Sequence, residues 1–288
     1  MRLNKSYSFC LLLFIPISFV LFSFTDGKKK KTDVEDEGLK GKVKSVRVYR
    51  YYSIDDKTFS INHLTMSKTD SSYHLKVNYD EKGNLLGWEG NKGEKLLTIT
   101  FNKSGYRYTA TKFNTDGIRT YLDSFFYDTK GNMIEDKGFA YRGDTLLLAC
   151  KNKYEFDSKG NMTKMFSYAS TNEIGDKWLY KYDANGNQTE QTEYSPKGIF
   201  LQKRIYKYDD KGNVSETSFY GDSLIFKNVY KYNDKGFVIE ELHYSSDKII
   251  DQHYFYKYEY DEKGNVIKKI CPDNLEQTPL TIRVIEYY

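Results

Sequence analysis

The residues able to do chemistry are few and scattered. The four histidines are His63, His74, His243 and His253. His243 and His253 flank an expected hairpin, which would bring them near each other. No Cys or carboxylate stands at ligand spacing around them, so they read as surface or packing residues and not as a metal site. A second candidate is the recurring Asp–x–x–Gly–Asn, as in "YKYDDKGN" at Tyr206–Asn213. Acids, amides and a glycine suggest a calcium loop. Calcium loops need alternating oxygen ligands before the glycine, and here the position two before the turn acid is usually Lys or Glu, as in Lys207. The tripeptide Arg142–Gly143–Asp144 resembles an adhesion signal, but Gly-Asp is also ordinary turn chemistry. There is no phosphate-cradling glycine loop and no nucleophile elbow. Asp and Glu are plentiful, so a carboxylate pair across a sheet stays open as a cryptic hydrolase. The expectation is a protein that is not an enzyme, with no cofactor and no metal.

The repeated acids are better explained as turn residues. Aromatic–Asp/Asn–x–x–Gly occurs at Asp80 and Gly83, Asp128 and Gly131, Asp157 and Gly160, and Asp183 and Gly186. It continues at Asp209 and Gly212, Asn233 and Gly236, and Asp261 and Gly264, with further copies at Asn102–Gly105 and Asn114–Gly117. Ser195–Gly198 is a variant carrying Pro196. The first side chain accepts a hydrogen bond from the turn backbone, and the glycine takes positive φ. Such a type I turn with a left-handed glycine closes a three-residue hairpin with a bulge. Each copy therefore reverses the chain and pairs its flanks as antiparallel strands.

The flanks alternate with period two. "RIYKY" places Arg204, Tyr206 and Tyr208 on one face, "NVYKY" repeats this with Tyr230 and Tyr232, and "WLYKY" with Trp178, Tyr180 and Tyr182. Neighbouring strands would stack these rings as cross-strand pairs, each contributing roughly 0.2–1 kcal/mol. If one face stays open, rings with hydroxyl tips suit sugar stacking or protein contact. The residues expected to bind are Trp88, Trp178, Tyr180, Tyr206 and Tyr230, with the two tryptophans as exposed platforms. The partner expected is a glycan or other polymer, or an envelope protein. From Gly105 to Gly264 the main turn glycines recur every 24–29 residues, a unit of two hairpins within the range of repeat arrays. Ser53–Lys68 and Asn84–Lys95 are less regular, as a capping region would be.

Composition agrees. The chain of 288 residues has 28 tyrosines, 18 phenylalanines and only 4 prolines, a mixture suited to pleated surfaces. The formal charge is +4 with no basic stripe, so nucleic acid is not an expected partner. Arg2 and Lys5 precede the apolar run Phe9–Phe24, which predicts a signal peptide over 1–25. The rival is an uncleaved anchor, although Lys28–Lys31 would then lie on the translocated side. Cys10 opens the apolar run instead of following it, which argues against lipidation. Residues 26–42 read as a charged flexible tether. Cys150 and Cys271 are compatible with one bridge or with two buried thiols.

The "YDxxGN" units and the opening "LKGKVKSVRVYRYY", Leu39–Tyr52, resemble the YD repeats of bacterial Rhs-type and wall-associated proteins, in their small secreted or envelope form. The resemblance covers most of 43–288. It implies antiparallel β architecture, an extracellular or envelope location and carbohydrate binding. Large members wind their repeats into a shell around a toxin; this shorter chain carries no cargo domain in its sequence, so that role is not transferred, and neither are any catalytic residues. The expected fold is all-β: a YD-repeat domain over 43–288, an antiparallel meander twisted and curled into a partial shell or two layers. The expected function is a binding or scaffold module of the envelope or exterior, with a protein–protein interaction module as the alternative.

Overall fold

The computed structural model describes residues 32–51, 74–246, 249–272 and 280–288. One short helix, α1 (Asp33–Asp36), precedes nineteen strands. The first are β1 (Val43–Tyr51), β2 (His74–Tyr79), β3 (Leu85–Glu89), β4 (Lys95–Phe101), β5 (Arg107–Phe113), β6 (Arg119–Tyr127) and β7 (Met133–Arg142). Next come β8 (Thr145–Phe156), β9 (Met162–Ala169), β10 (Ile174–Tyr182), β11 (Gln188–Tyr194), β12 (Phe200–Tyr208) and β13 (Val214–Tyr220). The last are β14 (Leu224–Tyr232), β15 (Val238–Ser246), β16 (Ile249–Phe255), β17 (Lys257–Tyr260), β18 (Val266–Ile270) and β19 (Leu280–Tyr287).

All nineteen belong to one antiparallel sheet in which consecutive strands pair. β1 pairs with β2 on one side and with β19 on the other, through partners such as Val46 with Val77 and Val46 with Ile285. The sheet therefore bends round until its ends meet in a nearly closed, barrel-like shell. The irregular step lies at Tyr256, between β16 and β17. β16 pairs with β15 and β17 with β18, and the Tyr256 N–H donates to the Ile239 carbonyl at 2.9 Å across the step.

The repeated turns generate this meander. In each, the glycine N–H donates to the first residue's carbonyl, as Gly212 does to Asp209 at 3.0 Å. Gly212 has φ +84°, and Gly131 has φ +89° with Tyr106 packed where a Cβ would point. A side chain would be strained at either position. The next residue's strand register shifts by one after most of these turns, the bulge expected of a three-residue hairpin.

Because hairpins alternate, the shell has two rims. One, the YD rim, collects the turns at Asp80, Asn102, Asp128, Asp157, Asp183, Asp209, Asn233 and Asp261. The far rim collects the turns at Asn114, Gly143, Ser195 and Gly221.

The stretch expected as a tether departs from that expectation over its described part, 32–42. Thr32 caps α1 in a reciprocal box with Glu35, and Val34, 4% exposed, enters the main apolar cluster with Leu39, Val46, Val77, Tyr79 and Leu97. Asp33 accepts from the Leu85 N–H at 2.7 Å and pairs with Arg107. Two apolar side chains among many charges are enough to fix this segment, because the acids around them meet specific donors at the YD rim. Residues 26–31, the signal segment 1–25 and the whole irregular stretch 53–68, with His63, lie outside the described residues. So does the side chain of His74.

Candidate functional site

Strand register sorts the side chains onto two faces. One face carries Trp178, Tyr180, Tyr182, Gln191, Arg204, Tyr206, Thr217, Phe219, Asn228, Tyr230 and Glu241. It continues through Asp123, Asp136 and Tyr154 to the apolar cluster beneath α1. Burial lifts the Asp123 carboxyl above the usual carboxylate range and lifts Asp136 to about 6, while burial lowers the Arg283 guanidinium. Desolvation of this kind marks the concave, inner face. The other face carries Lys181, Lys207 and Lys231, whose side chains are 64–69% exposed and pair with Glu190, Glu216 and Glu240 across the strands. That is the outer face.

The two tyrosines of each Tyr–x–Tyr–Asp unit have different jobs. The second tyrosine ties one repeat to the one before it. Tyr182 donates to the Met162 carbonyl at 2.8 Å, Tyr208 to Gln188 at 2.6 Å and Tyr232 to Val214 at 2.7 Å; in the last unit, Tyr258–Asp261, it is the first tyrosine, Tyr258, that makes this tie, to Val238 at 2.5 Å. Each acceptor is the residue just after the preceding YD-rim turn, where the bulge disturbs the ladder. Burial pushes Tyr182, Tyr208 and Tyr232 up to about 12, so they remain donors throughout the physiological range.

The first tyrosines, Tyr154, Tyr180, Tyr206 and Tyr230, form a row along the inner face. At its ends the hydroxyls are occupied. Tyr154 donates to Asp136, which also accepts from Asn152 Nδ2 at 3.1 Å. Tyr230 meets Thr217 Oγ1 at 3.3 Å and accepts from Asn228 Nδ2 at 3.1 Å. Asn228 Oδ1 lies 2.6 Å from His243 Nδ1, and the Tyr256 hydroxyl donates to Glu241 at 2.9 Å.

Mid-row the pattern changes. Among the described residues no protein group bonds the hydroxyl of Tyr180 or Tyr206, and no buried side-chain polar atom lacks a partner, so neither oxygen is sealed from solvent. Gln191 stands in register with Tyr180 on one side and Arg204 on the other. Arg204 is exposed although it lies on the inner face, and its guanidinium sits 5.4 Å from the Phe219 ring centroid. Phe219 stacks on Phe226 at 5.1 Å. The result is a patch of unpaired hydroxyls, an amide and a guanidinium beside aromatic faces: groups that donate and accept hydrogen bonds and offer flat apolar surface.

The tryptophans do not supply that surface. Trp178 is 5% exposed, and Trp88 is half-buried against the apolar cluster. Both sit on the inner face near packed neighbours, so the expectation of exposed tryptophan platforms is corrected: period two places a ring on a face without saying what covers it. His243 and His253 do not converge either. Leu242 is the register partner of His253 and Gln252 that of His243, so the imidazoles point to opposite faces. Among the described residues no group of three or more His, Cys, Asp or Glu is placed to hold a metal. Cys271 is a buried free thiol, so it forms no bridge to Cys150.

Turn chemistry accounts for the repeated acids, and for a residue that the turn reading left aside, the asparagine at the fifth position. Asp209 Oδ1 accepts from the Lys211 and Asn213 backbone N–H groups at 3.0 and 2.8 Å, and Oδ2 accepts from Asn213 Nδ2 at 2.9 Å. The same three bonds recur at Asp128 with Asn132, Asp157 with Asn161 and Asp183 with Asn187. Where the first residue is Asn102, Asn114, Ser195 or Asn233, the fifth is Tyr106, Ile118, Ile199 or Phe237. An amide in first place cannot accept on both atoms, and an asparagine in fifth place would then face a donor. That pairing was present in the sequence as an internal covariation.

No protein-family model matches the chain, and no curated protein matches it. Solved structures do. The chain resembles the TcdB2–TccC3 toxin complex, at 15% identity and a TM-score of 0.38 over 69% of this chain and 12% of that one. It is similar to a porin-like protein from Bacteroides uniformis, at 10% identity and a TM-score of 0.42 over 85% and 98% of the two chains. A porin-like protein from Bacteroides vulgatus gives 11% identity and a TM-score of 0.38 over 84% and 97%. The chain spans about an eighth of the length of the toxin chain it matches. Among the described residues no helix is long and apolar enough to cross a membrane.

Proposed function

We propose that this chain is a YD-repeat binding module of the cell envelope or exterior that holds a carbohydrate polymer against its inner face. The observation carrying this reading is the unpaired patch of Tyr180, Gln191, Arg204 and Tyr206 beside the Phe219–Phe226 stack. Sugars present hydroxyls at their edges and C–H groups on their faces, and these match the two kinds of surface offered here. The hydroxyls of the other two members, Tyr154 and Tyr230, are bonded to neighbouring side chains, so the interruption singles out one place for a ligand. The repeat assignment is supported by the turn motif, by its three-bond acid–amide geometry and by the tyrosine ties between repeats. The envelope location is supported by the basic and apolar N-terminal sequence.

The test is a glycan array probed with the full chain, followed by titration of any hit against Tyr206→Ala and Arg204→Ala. Retention by the native chain and at least a tenfold weakening by each variant is the expected result. No retention by the native chain, or hits unaffected by both variants, would overturn the reading.

A further inference from the structure

The outer face is divided by height, independently of the inner patch. Within the strands toward the YD rim four lysines are ion-paired: Lys164 with Glu155 at 2.7 Å, Lys181 with Glu190 at 2.9 Å, Lys207 with Glu216 at 3.0 Å and Lys231 with Glu240 at 2.7 Å. Toward the far rim the same strands carry lysines whose cross-strand neighbour is a tyrosine instead. Lys151 lies 4.5 Å from the Tyr168 ring centroid, Lys177 5.3 Å from Tyr194, Lys203 5.3 Å from Tyr220 and Lys227 4.6 Å from Tyr244. The ammonium groups of these lysines lie over rings, and among the described residues none of the four has a carboxylate at ion-pair distance.

Beyond that belt, in the hairpin turns or at the strand ends beside them, stand exposed aliphatic residues. Ile118, Leu146, Ile174, Ile199, Ile225 and Ile249 occupy successive far-rim hairpins and are 41–61% exposed. At the YD rim the fifth turn position is most often an asparagine folded onto the turn acid, and among the described residues its nearest exposed aliphatics, Leu86, Ile134 and Ile239, are fewer and less exposed, at 37–40%.

We propose that the far rim is a docking surface for an anionic lipid bilayer. Three layers stack in the order a membrane surface requires. Aliphatic tips reach the acyl boundary, a belt of tyrosines and uncompensated lysines meets the headgroups, and a neutral ion-pair belt stands in water. Lysines lying along rings can extend toward phosphate while their stems stay on apolar surface. A ring of single residues on separate hairpin tips describes a rim, which fits a flat partner better than a helix or peptide, which would need a groove. With the tip bases Arg142 and Lys197, the belt lysines Lys151, Lys177, Lys203 and Lys227 outnumber the tip acids Asp116, Asp144, Glu173 and Asp222, and this selects an anionic surface over a neutral one.

Position-resolved quenching tests this with the full chain and separates the contact from any made by the apolar run Phe9–Phe24. A tryptophan is placed at one rim, Ile199→Trp, or at the other, Lys211→Trp. Each protein is mixed with vesicles of phosphatidylcholine alone or with phosphatidylglycerol, both containing spin-labelled lipid. Near-ultraviolet circular dichroism verifies that each variant is folded. The expected result is quenching of the I199W indole on the anionic vesicles and no added quenching with K211W. Adding K177E, K203E and K227E to I199W should weaken the response roughly tenfold or more. Equal quenching at both rims, no quenching at the far rim, or a response indifferent to vesicle charge would overturn the proposal.

Discussion

At the scale of single residues, the structure turns on which oxygens and amides are already engaged. The acid–amide pair of the YD-rim turn gives one prediction. Asp128→Asn keeps the two backbone bonds but sets an amide against Asn132 Nδ2, and one hydrogen bond is lost. The expected cost is about 0.5–1.5 kcal/mol in urea unfolding. In an Asn132→Ala background the same change should cost almost nothing, and additive costs would refute the pairing. The inner carboxylates behave oppositely to the turn carboxylates with pH. Desolvation acts to raise Asp128, Asp157 and Asp261, but hydrogen bonds from their turns, joined at Asp261 by Tyr287, together outweigh it and hold these carboxyls below the usual range. Their contribution is present above pH ~4 and is lost as pH falls through their folded values. Asp136 is raised to about 6 by burial, so the native state holds its proton more tightly than the unfolded chain does. Stability from that group therefore rises as pH falls from about 6 toward 4. Melting midpoints should peak in this interval, and Asp136→Asn should flatten the limb between pH 4 and 6. A variant that melts with the native slope there would count against the assignment.

At the scale of the element, each strand pair is held by more than its ladder. Tyr208→Phe removes the tie to the Gln188 carbonyl and should cost about 1 kcal/mol in urea unfolding. Tyr206→Phe, two residues away, removes a hydroxyl with no protein partner and should leave stability unchanged. Equal losses for the two would dissolve the distinction between tying and facing tyrosines. α1 offers a third measurement: Val34→Ala should lower stability by about 1–2 kcal/mol, since its side chain is buried under the YD rim. A freely moving tether would show no change. Strands and turns were legible in the sequence because glycine handedness and period-two alternation are local. α1 was not, because its burial rests on Leu85 and Arg107, which are distant in sequence. The role of Trp178 was illegible for a similar reason, since alternation assigns a face but not its depth. Tyr180 and Tyr206 were named from the ring row, while Gln191 and Arg204 became visible as neighbours only through strand register.

At the scale of the whole molecule, the meander and the closure have different origins. Pairing between consecutive strands follows from the hairpins, so an all-β array could be read before any coordinates. That the array curls round was open between a partial shell and two layers. It is decided by β1 meeting β19, with Ser45 Oγ donating to Glu286 at 2.7 Å and Tyr288 donating to the Tyr79 carbonyl at 2.6 Å. No local motif announces a contact between residues so far apart. Closure of such a loop adds an entropic cost that short hairpins do not carry. Weakening the seam should therefore leave the hairpins formed while opening two sheet edges, which invite association. Ser45→Pro removes a ladder N–H and the Oγ bond to Glu286 in β1, between β2 and β19, and should convert monomer to higher species on light-scattering chromatography. A monomer unchanged in size and hydrodynamic radius would argue that the seam is not what closes the shell.

The seam also gives the molecule a mechanical direction. Val43 and Tyr287 are partners at the very end of the β1–β19 ladder, so tension applied between them loads a single rung at a time. Hydrogen bonds that run across the strands part in sequence under such a load, as in a zipper, and do not share it as they would in shear. A pull along the strand axis from opposite rims would instead strain many rungs together. This shell is soft along one line and stiff along the rest.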